Sequence, residues 1–266
     1  MPRSKAVKHG GKPGSRTRGG SRTRASPRSA EAQRKSTYVL VHGAWHGGWC
    51  WKKVVPALRA AGHEVYTPTL TGLGERAHLA NPAIDLAMHI ADIVNLLEAE
   101  EIEKVVLVGH SYGGMVVTGV ADRAPLRLRR VVYLDAFLPE NGKCLLDYLH
   151  SDRRAIIKQG EIGGFVDPLP LKIFGISDVE DVAWVLRHEM RQSYRTFAQP
   201  VRFTGSGGAN LPRTYVHCTR PPTGSFDQFA ARLRSDPAWK FYELKTGHDC
   251  MIIDPQSVIR ILLENA

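Results

Sequence analysis

Cysteine is scarce in this sequence, and what there is lies scattered. The four cysteines (Cys50, Cys144, Cys218 and Cys250) show no C-x-x-C spacing. This argues against a zinc site and against a disulfide framework. No uninterrupted apolar run of about 18 residues occurs, so no membrane-spanning helix is expected. Acidic residues are nearly missing from one place: residues 1–35 hold a single acid, Glu31, against eleven Lys or Arg. That imbalance accounts for the whole net charge of +10, and the rest of the chain balances its charges.

The same leader is short of large apolar side chains and rich in Gly, Ser and Arg, so it cannot bury enough surface to fold and is expected to be a disordered basic appendage. It contains no apolar core of the kind a secretory signal needs. Charge alone would let it meet RNA, DNA or anionic lipid. No aromatic residue interleaves with those charges as a stacking platform, however. A nucleic acid is therefore expected as a partner only through the leader, and only as a secondary property. The whole chain has 266 residues and 43% hydrophobic content. Residues 36–266 are enough for one domain with a well-buried core.

Within that domain, short β-branched runs alternate with helical patterns. The runs are "TYVLVH" (37–42), "HEVYTP" (63–68), "KVVLVG" (104–109), "RRVVYLDAF" (129–137), "RTYVHC" (213–218) and "KFYELK" (240–245). Strands apolar on both faces belong in a covered parallel sheet. Trp51, Val54, Val55 and Leu58 recur at helical spacing, as do Leu86, Ile90, Ile93 and Leu97, with Gly62 and Pro82 as stop and start signals. The order implies an α/β fold with a mostly parallel, doubly wound sheet. From about residue 140 to 210 the rhythm breaks. There "SDVEDVAWVLRHEMRQSY" begins with Ser177 as an N-cap and Glu180 three residues on. An inserted helical cap over the carboxyl ends of the strands explains this block, because ligands of open α/β sheets bind at that edge.

The stretch "VLVGHSYGGM" (107–116) places Ser111 between Gly109 and Gly113, after an apolar strand and before a helix. A bare G-x-S-x-G is a weak signal, but the strand-turn-helix setting gives it meaning: a strained turn presents the hydroxyl at a helix amino terminus. A nucleophilic serine needs donors for the oxyanion formed at an attacked carbonyl. One is expected from the Tyr112 N–H. The other is expected from the glycine loop "HGAWHGGW" (42–49), assigned to the Ala44 N–H with Trp45 as the less favoured neighbour. The general base should be a late histidine, and His248 in "LKTGHDCM" follows the last strand. His42, His46 and His110 also fall near this pocket, where a lone histidine is more often structural.

From residue 37 onward the chain resembles an α/β-hydrolase of the group holding plant methylesterases, hydroxynitrile lyases and bacterial carboxylesterases. The motifs that carry the resemblance are "YVLVHGAWHGGWCW", "VVLVGHSYGGM", "YLDAFLP" and "GHDCM". Plant members usually carry their acid in the loop after the penultimate strand, where this sequence reads "VHCTRPPTGSFDQF" and offers no carboxylate before Asp227. Asp135, at the end of the preceding strand, stands where other α/β-hydrolases place their acid. The resemblance therefore assigns Asp135 to orient His248, with Asp227 in reserve. Lyases of the group carry a lysine beside the histidine and a threonine in the first oxyanion loop, positions that read Asp249 and Ala44 here. Dehalogenases and epoxide hydrolases want an aspartate in place of Ser111.

These readings together predict a carboxylic-ester hydrolase working through an acyl-enzyme, with no metal or organic cofactor and a small-molecule ester as partner. Trp45, Trp184 and Phe165 are expected to favour small hydrophobic or aromatic esters. A non-catalytic small-molecule receptor on the same scaffold and a hydroxynitrile-lyase-type enzyme are the alternatives. The cysteine usage and the lack of an apolar span predict a cytoplasmic protein.

Overall fold

A computed structural model describes residues 35–266. The basic leader, apart from its last residue, lies outside the described residues. Six strands form the main sheet: β1 (Thr37–Val41), β2 (Glu64–Tyr66), β3 (Val105–His110), β4 (Leu128–Leu134), and, beyond a two-strand ribbon of β5 (Phe165–Val166) and β6 (Gln192–Ser193), β7 (Arg213–Cys218) and β8 (Trp239–Leu244). The sheet order is β2-β1-β3-β4-β7-β8. All five pairings are parallel. The helices are α1 (Val55–Ala60), α2 (Leu86–Ala99), α3 (Gly113–Arg123), α4 (Ser151–Lys158), α5 (Gly160–Gly163), α6 (Val179–Leu186), α7 (Arg195–Ala198), α8 (Asp227–Leu233), α9 (Cys250–Ile253) and α10 (Pro255–Leu263). No helix among the described residues is long and apolar enough to cross a membrane. This is the α/β-hydrolase arrangement.

Every residue of β3 is buried, which explains its unbroken apolar run: helices cover both faces of a parallel sheet. Around it α2 packs on α3, and α1 on α10. Two strands stop two or more residues short of their sequence runs. The second stops at Tyr66, just before Pro68, which has no N–H to extend a ladder. The fourth stops at Leu134 because Asp135 adopts φ 43°, outside the extended region. Pro82 does not begin α2 either. The carboxylate of Asp85 caps that helix, accepting the Met88 N–H at 2.9 Å.

Between β4 and β7 no strand joins the main sheet. Here lie α4 to α7 and the antiparallel ribbon of β5 and β6. The amino terminus of α6 is capped one residue later than the sequence pattern places it. Asp178, rather than Ser177, accepts the N–H groups of Glu180 and Asp181, each at 3.0 Å. The helix then ends at Leu186, and the chain turns into β6.

Candidate active site

The turn from β3 into α3 holds Ser111 at φ 53°, in the left-handed region that a side chain other than glycine rarely adopts. Its flanking glycines leave no room for substitution. A Cβ on Gly109 would sit 2.7 Å from the Gly113 carbonyl oxygen, and one on Gly113 would sit 2.8 Å from the carbonyl oxygens of Val41 and His42. Strand, turn and helix therefore close tightly, and Ser111 is left partly exposed at the carboxyl edge of the sheet.

On the loop after β8, His248 Nδ1 donates to Asp135 Oδ2 at 2.7 Å. The other oxygen, Oδ1, accepts the Cys218 N–H at 2.9 Å. A carboxylate accepting at both oxygens fixes the ring, with Nδ1–H toward the acid and the Nε2 lone pair available. Phe226 stacks on the imidazole at 4.8 Å and 11°, while His110 Nε2 donates to the His248 carbonyl at 3.0 Å. Asp227 lies elsewhere: it accepts from His217 Nε2 at 2.9 Å and is more than half exposed.

The glycine loop after β1 is held peptide by peptide. His42 Nε2 accepts the Leu70 N–H at 3.1 Å, which leaves Nδ1–H to donate to Gly43 O at 2.8 Å. Burial, against that Gly43 bond, lowers the His42 pKa to about 3, so the ring is neutral. Gly43 O and Ala44 N belong to one peptide unit, so this bond orients the Ala44 N–H. In the next unit, Ala44 O accepts from His46 Nδ1 at 2.7 Å and Trp45 N donates to Gln192 Oε1 at 2.9 Å. The Trp45 amide is thus already engaged, whereas among the described residues no acceptor takes the Ala44 or Tyr112 N–H.

A cavity of about 50 Å³ is lined by Ser111, His248, Ala44, Trp45 and Tyr112 together with apolar side chains of the region between β4 and β7. Trp45 lies among Phe174 and Phe197, its indole N–H on the Val166 carbonyl. The other two aromatics expected to meet substrate are not in this lining. Trp184 packs edge-on against Trp49 at 5.4 Å, because its helix face turns toward the short 3-10 helix at Gly48–Trp51. Phe165 lies under the Arg191 guanidinium, 4.4 Å from its ring centre. The positions that do line the cavity, among them Phe137, Phe226, Leu145 and Leu149, were not singled out by the sequence. Phe226 had one readable signal, its place directly before Asp227. Arg153 also lines the cavity, with one guanidinium nitrogen on Ser225 Oγ at 3.0 Å.

Behind His248 lies a second polar group. Asp249 is 1% exposed, with Oδ2 3.6 Å from His46 Nε2 and Oδ1 3.6 Å from His110 Nε2. Neither carboxylate oxygen has a hydrogen-bond partner among the described residues. Burial alone would raise the Asp249 pKa, but His46, then His110 and His248, bring it down to about 2. For His46 burial again opposes the charge, and Asp249 overcomes it and raises the pKa. Burial and His248 drive His110 well below its usual value. His110, His248 and Asp249 offer atoms within 4.8 Å of one another, a spacing compatible with a metal ion. The ring protons point the other way: His110 Nε2–H is spent on a carbonyl and His248 Nδ1–H on Asp135, so the lone pairs do not converge.

The chain matches the family described as the alpha/beta hydrolase family over residues 38–261. It is 41% identical over 235 residues to the carbendazim hydrolyzing esterase of Nocardioides sp. (strain SG-4G), covering 84% of this chain and 96% of that one. It is 38% identical over 255 residues to salicylic acid-binding protein 2 of Nicotiana tabacum, covering 86% and 96%. Among solved structures, an extracellular alpha/beta-hydrolase from a Paenibacillus species superposes with a TM-score of 0.74 at 22% identity, over 86% of this chain and 98% of that one. With the match extending over most of its length, the chain is an enzyme of the alpha/beta hydrolase family.

Proposed function

We propose that this enzyme hydrolyses small carboxylic esters with an apolar or aromatic portion, through Ser111, His248 and Asp135. The observation that carries the reading is the 2.7 Å bond from His248 Nδ1 to Asp135, with Ser111 on its strained turn lining the same cavity. His248 Nε2 takes the Ser111 proton as the oxygen attacks the ester carbonyl, and Asp135 stabilises the imidazolium so formed. The free N–H groups of Ala44 and Tyr112 hold the oxyanion. The imidazolium protonates the departing alcohol, and water resolves the acyl-enzyme by the same steps. The esterase name of the Nocardioides relative supports the reaction class. The aromatic and aliphatic cavity lining supports an apolar substrate. A buried Asp249 carboxylate beside His248 is the wrong charge for stabilising a departing cyanide, which favours hydrolysis over lyase chemistry. Four unpaired thiols support a reducing, cytoplasmic setting.

The test is hydrolysis of p-nitrophenyl acetate and butyrate by wild type, Ser111→Ala, Asp135→Asn and Asp227→Asn. Loss of about four orders of magnitude in kcat in the first two variants, with Asp227→Asn close to wild type, is the expected result. Wild type no faster than Ser111→Ala on either ester would overturn the reading in favour of a binding protein.

A further inference from the structure

His46 carries an unusual constraint on its protons. Its Nδ1 lies 2.7 Å from the Ala44 carbonyl oxygen, which can only accept, so Nδ1 carries hydrogen. Its Nε2 faces Asp249 Oδ2 at 3.6 Å with no other partner among the described residues, and both side chains are almost wholly buried. A neutral ring would aim a lone pair at a buried carboxylate. A second proton turns that repulsion into a buried ion pair.

The two residues lie on different loops. His46 belongs to the loop whose Ala44 amide is free, and Asp249 follows His248. We propose that the His46 imidazolium and Asp249 form a brace that positions the Ala44 N–H against the His248 loop, making both of them positioning residues for oxyanion binding. Ala44 O and Trp45 N form one peptide unit, held at its oxygen by His46 and at its nitrogen by Gln192. With His42 fixing the preceding unit through Gly43 O, the Ala44 amide has no freedom to rotate while the brace is closed. The role rests on the ester-hydrolase reading above, because only a reaction that develops an oxyanion uses this amide.

The ionisable groups around His46 are few. Asp249 faces it from the loop after β8, Glu189 acts on it from the segment after α6, His110 from the end of β3, and His42 from its own loop. His42 and His110 are neutral rings, and the Glu189 carboxyl is raised by burial. Asp249 makes the larger anionic contribution holding the proton, with Glu189 adding a smaller one. Loss of that proton at alkaline pH sets a lone pair against Asp249 and releases the brace.

The experiment joins two measurements on wild type, Asp249→Asn and the double variant His46→Gln with Asp249→Asn. Histidine ring nitrogens are followed by 15N NMR, and kcat and KM for p-nitrophenyl acetate are followed from about pH 6 to about pH 10, the range that spans a raised histidine. In wild type, His46 is doubly protonated at neutral pH and its alkaline titration coincides with a fall in kcat. Asp249→Asn lowers kcat on the order of 10- to 100-fold with KM within about twofold, less than the loss of a whole oxyanion donor. It also moves both the NMR titration and the kinetic limb to lower pH. The double variant is no slower than the single, since the pair acts as a unit. A singly protonated His46 at neutral pH in wild type overturns the proposal, as does an Asp249→Asn enzyme with wild-type kcat and pH profile. If Asp249→Asn does not fold, coincidence of the two wild-type titrations decides the matter. A doubly protonated His46 in a protein that turns over no ester removes the catalytic role together with the ester-hydrolase reading, and the NMR spectrum tells that failure from a missing ion pair.

Discussion

Asp249 and Asp135 flank one histidine, yet they are held in opposite ways. Asp135 takes two hydrogen bonds, whereas Asp249 takes none and relies on charge. The difference shows in the pH dependence of stability. His46 is raised, so its contribution is complete below the usual histidine range and is lost as pH climbs through its folded value. Asp249 is lowered to about 2, so its contribution is complete above the usual carboxylate range and is lost as pH falls through about 2. Urea unfolding across pH should therefore show a plateau between the usual carboxylate and histidine ranges and a decline above the histidine range that Asp249→Asn lacks; an identical profile above that range in the variant would refute this. The proposed Ser111 and His248 were marked in the sequence, each by a short motif at a strand end. The proposed Asp135 was marked by a resemblance, through the missing carboxylate in "VHCTRPPTGSFDQF". The His46 and Asp249 pair was not, because 203 positions of chain separate two residues that only the closed sheet brings to 3.6 Å.

Among the elements, buried strands were the easiest to read and short ones the hardest. "KVVLVG" marks β3 to within a residue, since a fully buried parallel strand needs an unbroken apolar run. The two-residue strands β5 and β6 have no period to detect. In α6 a capping pattern existed at two adjacent positions, and the carboxylate of Asp178 prevails over the hydroxyl of Ser177 by reaching two amides at once. Asp178→Ala should cost about 1 kcal/mol of stability, seen as a lower urea midpoint with unchanged kcat for a good ester. A midpoint equal to wild type would show that packing, rather than the cap, fixes the start of this helix. Trp184 and Phe165 fall outside the cavity lining for a reason at this scale: aromatic type was visible in the sequence, but the face of the element carrying it was not.

At the scale of the molecule, the core and the region between β4 and β7 meet over a cavity of about 50 Å³, room for only a few waters, each needing about 10–15 Å³ by the same measure. On the proposed reading, an aryl ester would enter by displacing lining side chains, and the covering region is not uniformly free to yield. Met190 N donates to Trp45 O at 3.0 Å and Gln192 accepts from Trp45 N at 2.9 Å, so this part of the cover is stitched to the loop that bears the Ala44 amide. Leu145, Leu149, Ile157 and Leu169 line the same cavity from outside that stitch. Divergence in substrate range thus has two tiers of tolerance. Combinatorial libraries at the four leucine and isoleucine positions should yield many active clones with altered ester preference, while a library at Gln192, whose side chain makes the stitch, should yield mostly inactive ones. Equal survival in both would show the stitch to be dispensable. On the proposed reading, the enzyme keeps its adaptable surface and its chemically constrained surface in separate stretches of one covering region, so new substrates would be open to it without rebuilding the amide proposed to meet the charge.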